Sequence, residues 1–314
     1  MPDAPPKTPD RRLHLTVGPV PYYWPRTTLL QFYAEMADSA ADTLVLGETV
    51  CSRRHEMKLD DWLALAHDLR ATGKQVVLAT QVLVESEADL RALRRLGSQG
   101  EHLVEAGDAS ALHLLAQAGL PFVLGPHINI YSQAALAEHV ALGALRWVAP
   151  VELSLAAVAA INPPGPAAER IETEVFAFGR MPLAFSARCF TARHHRLQKD
   201  QCEFRCQDDS DGLLLRTEDG EPFLVLNGIQ TQSAAQQCLI GERVALLQAG
   251  VSRLRLSPCS QRFGEVVAWF DRVMNAGANP DAARIALDRL SLPGGLANGF
   301  AHGRPGLDLV ESGI

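Results

Sequence analysis

Half of the six cysteines in this chain lie within a stretch of twenty residues, ARCFTARHHRLQKDQCEFRC. Cys189, Cys202 and Cys206 form the spacing C-x12-C-x3-C. Stable disulfides are rare in a reducing cytoplasm, so clustered cysteines there are typical of metal or redox sites. Three thiolates leave one ligand to be found for a four-ligand site. The spacing favours such a site over the alternative, a basic solvated loop with unliganded thiols.

The best-placed fourth ligand is Cys51, which comes just after the strand candidate DTLVLGE. Cys189 similarly follows the strand candidate IETEVFAFG and its extension MPLAFSA. The carboxyl ends of barrel strands gather functional groups from loops that are distant in sequence, so the two cysteines are expected to meet. Four thiolates suit either structural zinc or an iron–sulfur cluster. The spacing matches neither zinc ribbons nor bacterial ferredoxins, so both metals remain open.

Basic residues surround the cysteines and would offset the negative charge of a thiolate-bound cluster. Five of them flank the three clustered cysteines, and these are Arg188, Arg193, Arg196, Lys199 and Arg205. Arg53 and Arg54 follow Cys51 and are candidates for binding an anion. His194 and His195 are candidate ligands or proton donors, although adjacent histidines on a basic loop are more often solvated.

The remaining cysteines are expected to be core residues, because free cysteine is among the most buried residue types. Cys238 lies in the helix-like stretch SAAQQCLIG, and Cys259 follows Pro258 at the end of a predicted strand. Cys259 is close enough to a strand end to approach the site, but packing is the favoured interpretation.

Other polar residues lie at predicted strand ends, where they are candidates for binding a polar substrate or for acid–base work. For each of them a helix cap or a surface pair is the more frequent alternative. They are Glu48, Glu105, His127, Asn129, Glu152, Glu172 and Glu174.

Strand and helix patterns alternate from the beginning of the chain to about residue 150, which predicts a parallel sheet. The first strand candidate is followed by VGPVPYYW, which lacks the glycine-rich turn of a dinucleotide fold. Further strand candidates at IETEVFAFG and RVALLQAGVSRLRLS favour an α/β fold of the (β/α)8 TIM-barrel type. The alternation of strand and helix patterns is interrupted at 180–232 by a cysteine-bearing loop and a β-hairpin. The hairpin is indicated by EDGEP between two apolar runs.

We therefore predict a disordered extension at 1–12, a single domain at 13–300 and an irregular tail at 301–314. The 314 residues are 47% hydrophobic and 21% charged, which is ordinary for a soluble globular protein. A net charge of −7 argues against nucleic acid as a partner. The sequence contains no signal-peptide pattern and no apolar run long enough to span a membrane, so a cytoplasmic location is expected.

Four sequence blocks resemble the collagenase-like peptidase family, and the resemblance extends over about residues 13 to 300. The blocks are LGETVCSRR, EVFAFGRMPLAFSARCFTAR, KDQCEFRC and LNGIQT. Within that family they are most similar to proteins of O2-independent ubiquinone biosynthesis.

This resemblance implies a 4Fe–4S cluster held by Cys51, Cys189, Cys202 and Cys206. It also implies that the chain is the iron–sulfur subunit of an enzyme that hydroxylates the aromatic ring of ubiquinone precursors without O2. The implied partners are the paralogue UbiU in a heterodimer, a UbiT-type lipid carrier and prenylated phenol precursors, with prephenate as oxygen donor. Catalytic residues do not follow from the resemblance.

Two other functions remain open at the level of the sequence. One is a zinc-stabilised scaffold or binding subunit without chemistry of its own. The other is a peptidase, as the family name suggests, although the chain lacks the hydrolase signatures G-x-S-x-G and H-E-x-x-H.

Overall fold

The computed structural model describes residues 12–165 and 171–311. The predicted extension therefore lies outside the described residues except for Arg12, and the predicted tail is described only to residue 311.

The described residues form twelve strands in one sheet. In chain order they are β1 (His14–Val17), β2 (Thr43–Leu46), β3 (Gln75–Ala79), β4 (Leu103–Ala106), β5 (Phe122–Leu124), β6 (Ala144–Val148), β7 (Glu172–Phe185), β8 (Leu213–Arg216), β9 (Pro222–Asn227), β10 (Gln230–Cys238), β11 (Arg253–Leu256) and β12 (Leu296–Ala297).

Ten α-helices accompany these strands in the described part of the chain. They are α1 (Arg26–Ala37), α2 (Leu59–Ala71), α3 (Glu87–Gly97), α4 (Ala109–Gln117), α5 (Gln133–Ala141), α6 (Leu155–Ile161), α7 (Phe190–His194), α8 (Arg243–Gln248), α9 (Phe263–Ala276) and α10 (Pro280–Leu290).

Eight parallel strands close into a barrel, as the alternating pattern predicts. Strands β1 to β7 pair in sequence order, and β11 pairs with both β7 and β1 to complete the circle. The strands are short and apolar because both of their faces are covered; the four residues of β2, for example, are all buried. Serine or aspartate caps begin several of the outer helices; the side chain of Ser86, for example, accepts a hydrogen bond from the N–H of Asp89.

An antiparallel excursion separates the seventh barrel strand from the eighth. Strand β7 runs for fourteen residues, and its second half leaves the barrel to pair with β10. Strand β10 pairs with β9, which pairs with β8 in the hairpin predicted from EDGEP. The excursion places the cysteine-bearing segment beside the loops that follow the barrel strands.

Two local predictions are wrong. Of the strand candidate RVALLQAGVSRLRLS, the first half forms α8, and only Arg253–Leu256 is a strand. Gly250, which has a positive φ of 75°, separates the two elements. Cys238 lies in β10 rather than in a helix, where it pairs with Phe178 of β7; sheet pairing decides the structure of such a short, ambiguous segment.

A network of ion pairs crosses the barrel interior. Arg255 donates to both carboxylate oxygens of Glu105 at 2.9 and 2.6 Å, and its Nε donates to Glu174 at 2.6 Å. Arg146 and Arg253 donate to Glu172 at 2.9 and 3.0 Å. Glu172 and Glu174, predicted to lie at a strand end as candidates for substrate binding or acid–base work, lie at the amino end of β7, where arginines of the barrel pair with them. Three arginines thus neutralise three glutamates.

No helix in the described ranges is long and apolar enough to cross a membrane.

Candidate metal centre

Cys51, Cys189, Cys202 and Cys206 line one cavity, although they come from three separate segments. Cys51 lies in the loop between β2 and α2, and Cys189 immediately precedes α7. Cys202 follows one 3-10 turn and Cys206 lies in the next. The same cavity is lined by Arg53, Arg54, Thr191, Ala192, Lys199, Phe204, Arg205 and Gly228. The structure therefore brings together the four residues that the sequence singled out, and their role as ligands stays a prediction.

The backbone around Cys51 is held by the carboxylate of Glu48. One carboxylate oxygen accepts the N–H groups of Val50 and Cys51 at 2.9 and 3.0 Å. The N–H of Arg54 donates to the carbonyl of Cys51 at 3.0 Å, which closes a tight turn. Burial raises the pKa of Glu48, and the nearby guanidinium of Arg54 works in the opposite direction. This turn fixes where the Cys51 side chain enters the cavity.

Cys189 is fixed by the first turn of α7 and by the tight turn between β9 and β10. Its sulfur accepts the N–H of Ala192 at 3.4 Å. The N–H groups of Phe190 and Thr191 donate to the carbonyl of Gly228, and the N–H of Gly228 donates to the Thr191 hydroxyl at 2.9 Å. Helix α7 is therefore held against the end of the hairpin that follows it in sequence.

The segment between Cys202 and Cys206 has a strained backbone. Glu203 and Phe204 have φ values of 51° and 53°, a left-handed conformation that costs non-glycine residues about 1–3 kcal/mol each. The Phe204 ring packs against Tyr23, with the ring centroids 5.6 Å apart. Such strain is concentrated at functional sites. Here it directs two cysteines four residues apart toward the same cavity.

Burial disfavours the thiolate form of three of the four cysteines. It raises the pKa of Cys51, Cys189 and Cys206 above that of an exposed thiol. For Cys189, a charge on Cys51 or Cys202 would raise the pKa further. Thiols in this setting are neutral until a bound cation displaces their protons, which is the usual coupling between metal binding and deprotonation.

Arg54 is the central cation of the site and is almost completely buried, with 1% of its side chain exposed. Its guanidinium donates to the carbonyl of Pro21 at 2.8 Å and to the side-chain oxygen of Asn227 at 2.7 Å. It also lies over the ring of Tyr23 and 3.6 Å from the Glu48 carboxylate. The positive charge of Arg54 lowers the pKa of Cys206 and so opposes the effect of burial there.

Two buried N–H groups beside the cavity have no hydrogen-bond partner among the described residues. They belong to the Nε atoms of Arg53 and Arg54. A buried donor without an acceptor is costly, so such groups indicate a missing partner. Sulfur atoms of an inorganic cluster are acceptors for arginine N–H groups and would supply that partner. The donor set of this cavity therefore fits a thiolate-bound cluster.

Within the described ranges, no three His, Cys, Asp or Glu side chains are grouped so that they could hold a single ion. A tetrahedral zinc site requires four sulfurs at about 2.3 Å from one point. Four cysteine thiolates are likewise the ligand set of a 4Fe–4S cluster.

Other candidates from the sequence fall into two groups. Lys199 and Arg205 line the cavity, and Lys199 also pairs with Glu85. Exposed residues that do not line it are Arg188, Arg193, Arg196, His194 and His195. The two histidine rings contact each other, in agreement with the solvated interpretation. Cys238 and Cys259 are buried as expected, and burial raises the pKa of each to about 12.

The polar residues predicted at strand ends occupy three different places in the structure: the cysteine site, a second cavity and the surface. Glu48 supports the Cys51 turn, whereas Glu105 and His127 line a second cavity at the mouth of the barrel. Asn129 and Glu152 are exposed, and Glu152 accepts a hydrogen bond from Tyr131. Sequence reasoning missed Arg180 and Gln232, which line the second cavity from the excursion strands. The polar run QTQS at the beginning of β10 is the sequence feature that could have identified Gln232 as a cavity residue.

Comparison with known proteins adds a family and several distant structures. The model of peptidase family U32 matches residues 30–309. The structure of the U32 peptidase Mk0906 is 14% identical, with 79% of this chain and 93% of that chain covered and a TM-score of 0.43. Dihydropteroate synthase from Thermus thermophilus in complex with 6HMPPP is 14% identical, with 84% and 94% covered and a TM-score of 0.39. The spore cortex-lytic enzyme SleL of Bacillus cereus is 11% identical, with 84% and 74% covered and a TM-score of 0.43.

Proposed function

We propose that this chain, which belongs to peptidase family U32, holds a 4Fe–4S cluster through Cys51, Cys189, Cys202 and Cys206. The observation that carries the proposal is the convergence of these four cysteines on one cavity. The unpartnered N–H groups of the two neighbouring arginines support a cluster with acceptor sulfurs.

The residues around the cavity have separate parts in this proposal. The four thiolates bind the metal, and the N–H of Ala192 stabilises the charge on Cys189. Arg53 and Arg54 donate to sulfur, and Lys199 adds a further positive charge at the cavity wall. Partial burial of all four cysteines limits the access of water and oxidants. When bound, a 4Fe–4S cluster supplies one-electron transfer at a potential tuned by such hydrogen bonds and by solvent exposure.

The finer function that we propose is O2-independent ring hydroxylation of ubiquinone precursors. It rests on the resemblance of the four cysteine-containing and neighbouring sequence blocks to UbiV. In this proposal the chain pairs with UbiU, receives prenylated phenol precursors from a UbiT-type lipid carrier, and works with prephenate as oxygen donor. Cytoplasmic location remains part of the proposal.

Substitution of single cysteines tests the ligand assignment. Cys202→Ser removes one ligand from the cavity and should lose most of the iron, because metal binding is coupled to the order of the site. Cys238→Ser is the matched control, since Cys238 is buried in β10 and does not line the cavity. Iron content per chain and O2-independent ubiquinone synthesis are measured for both. Full iron content in the Cys202→Ser protein would overturn the assignment.

The family name favours a second candidate, a peptidase, and the same cysteines separate the two functions. A protein with all four cysteines changed to serine should lose quinone-related activity if the cluster is essential. A metal-independent peptidase would keep its activity on peptides in that variant.

A further inference from the structure

Three arginines beside the cysteine site take no part in the proposed binding of metal, because they do not line the cavity. They are Arg188, which immediately precedes Cys189, and Arg193 and Arg196 at the end of α7. All three residues are exposed. These three arginines are called the basic surface below.

The positive charges of the basic surface are not neutralised within the described part of the chain. None of its three arginines forms an ion pair with a described carboxylate, whereas the neighbouring Lys199 pairs with Glu85. The only acidic residue between Cys189 and Cys202 is Asp200. Because the whole chain has a net charge of −7, the basic surface is a local positive region on a negative protein.

The end of α7 is not optimised for its own stability. The N–H of Leu197 donates to the carbonyl of Ala192, and the N–H of Arg196 donates to that of Arg193, which together form a Schellman turn. The residue with positive φ in such a turn is usually glycine, but here it is Arg196, with a φ of 57°. A Cβ atom makes this conformation unfavourable, so the turn does not explain an arginine at this position. The charge of Arg196 therefore indicates a role outside the fold.

The basic surface adjoins the proposed cluster. Cys189 is bonded to Arg188 and begins the helix that ends with the other two arginines. All four cysteines are only partly buried, so a cluster held by them would lie close to the protein surface. Electrons pass between proteins over short distances, and transient redox partners meet through small interfaces guided by complementary charge.

We propose that the basic surface is the docking site of an acidic one-electron carrier protein that delivers electrons to the cysteine site. The inference rests on the proposed function, since it requires a redox cluster behind the surface. In each transfer the carrier is oxidised by one electron and the cluster is reduced by the same electron. No covalent bond forms or breaks, and no proton is required.

A compact acidic protein fits this surface better than a nucleic acid or an anionic membrane does. The basic surface is small, and the chain as a whole is negatively charged. An extended polyanion would therefore be repelled by the protein beyond the three arginines. A small partner that contacts only this face avoids most of that repulsion.

The test uses reduced plant-type 2Fe–2S ferredoxin, an acidic one-electron carrier, as the probe. Stopped-flow absorption measures the second-order rate of cluster reduction without oxygen, and calorimetry measures binding. The triple variant with Arg188→Gln, Arg193→Gln and Arg196→Gln should be reduced at least about tenfold more slowly at low salt, because electrostatic steering accelerates association. A rise from about 50 mM to about 500 mM salt should slow reduction of the wild type and hardly affect the triple variant.

Two controls separate docking from damage to the metal site. Reduced methyl viologen, a small cationic donor that needs no docking surface, should reduce the wild type and the triple variant at similar rates. Arg216→Gln changes an exposed arginine at the opposite end of the hairpin from Gly228 and should leave reduction by ferredoxin unchanged.

Arg196→Gly separates docking from folding. Glycine is the preferred residue at this positive φ, so the variant should melt at the same temperature as the wild type or higher. It should nevertheless be reduced by ferredoxin about twofold more slowly or worse, because one of three positive charges is lost. Reduction at the wild-type rate in this variant would contradict a docking role for Arg196.

The controls decide which results overturn the proposal. A triple variant that has full iron content and is reduced by ferredoxin at the wild-type rate would overturn this inference alone. Equal slowing with ferredoxin and methyl viologen would also overturn it, because the arginines would then support the cluster itself. Binding of RNA or of phosphatidylglycerol vesicles through these arginines, with no effect on ferredoxin, would assign the surface to another partner.

Metal content is measured in the same samples. A chain purified without iron and sulfide would overturn the proposed function and this inference with it. That failure is distinguishable from a failure of docking, in which the cluster is present and the arginines do not affect its reduction.

Discussion

Arg54 shows how single residues build the cysteine site. Its guanidinium connects the N-terminal strand loop at Pro21 with the hairpin residue Asn227, and its positive charge lies beside Cys206. The sequence indicates this residue as a cation next to Cys51. It does not indicate the hairpin partner, because Asn227 is 173 residues away in the chain.

His127 should make stability depend on pH. Its folded pKa of about 4 is below the unfolded value of 6.5, so below pH 6.5 the unfolded chain binds a proton that the folded chain does not. The free energy of unfolding is therefore expected to fall by up to about 3 kcal/mol as pH falls from 6.5 to 4. His127→Phe should lack this component, as measured by urea unfolding at pH 7 and pH 4.5. An identical pH dependence in both proteins would contradict the burial of a neutral imidazole.

At the scale of elements, the excursion between β7 and α8 carries most of the site. The sequence predicts its position, its hairpin and three of its cysteines, because cysteine spacing and turn residues are local signals. It does not predict that β7 continues past the barrel or that Cys238 belongs to β10. Those features depend on antiparallel pairing between segments that are about fifty residues apart, which no local pattern records.

The turn between β9 and β10 should be sensitive to a single added methyl group. Gly228 has a φ of 65°, and a Cβ atom there would lie 2.9 Å from a terminal nitrogen of Arg54. Gly228→Ala should therefore cost more than the roughly 1 kcal/mol of left-handed strain alone. Gly220→Ala is the control, because Gly220 also has a positive φ but an open space around it. Urea unfolding compares the two variants, and equal losses would argue against close packing of Arg54 on this turn.

If the four cysteines hold the proposed cluster, removal of the metal should loosen the segment between Ala187 and Asp211. This segment contains short 3-10 turns, two left-handed residues and many exposed side chains, so few apolar contacts hold it without a ligand. Trypsin should cut the chelator-treated protein rapidly at Arg188, Arg193, Arg196, Lys199 or Arg205 and cut the metal-bound protein slowly. Mass spectrometry of the fragments identifies the sites. Equal cleavage rates with and without metal would show that the segment is ordered independently of a ligand.

At the scale of the whole molecule, the barrel encloses a balanced set of charges. The alternation of strand and helix patterns predicts a parallel sheet, and the number of strand candidates together with the missing glycine-rich turn favours the closed barrel that the structure shows. The interior ion pairs are not predictable, since Arg255 lies 150 residues from Glu105 and 81 residues from Glu174 in sequence. The sequence indicates the glutamates as polar residues near strands, and only the closure of the barrel determines that they pair with arginines.

Loss of one member of this network should destabilise the whole barrel. Arg255→Met would leave Glu105 without its two hydrogen bonds and Glu174 with a weaker partner. We expect a loss of about 3–5 kcal/mol in the free energy of unfolding, because buried carboxylates would remain uncompensated. Arg216→Met on the exposed hairpin should change stability by less than about 0.5 kcal/mol. Chemical denaturation measures both, and a small effect of Arg255→Met would contradict the account of the interior.

The most direct test of the central claim is the metal content of the chain purified without oxygen. Iron, acid-labile sulfide and zinc are measured together with the visible absorption spectrum. The account predicts about four irons and four sulfides per chain, with a visible absorption that bleaches on reduction. One zinc per chain without sulfide would contradict it and would make the four cysteines a structural site.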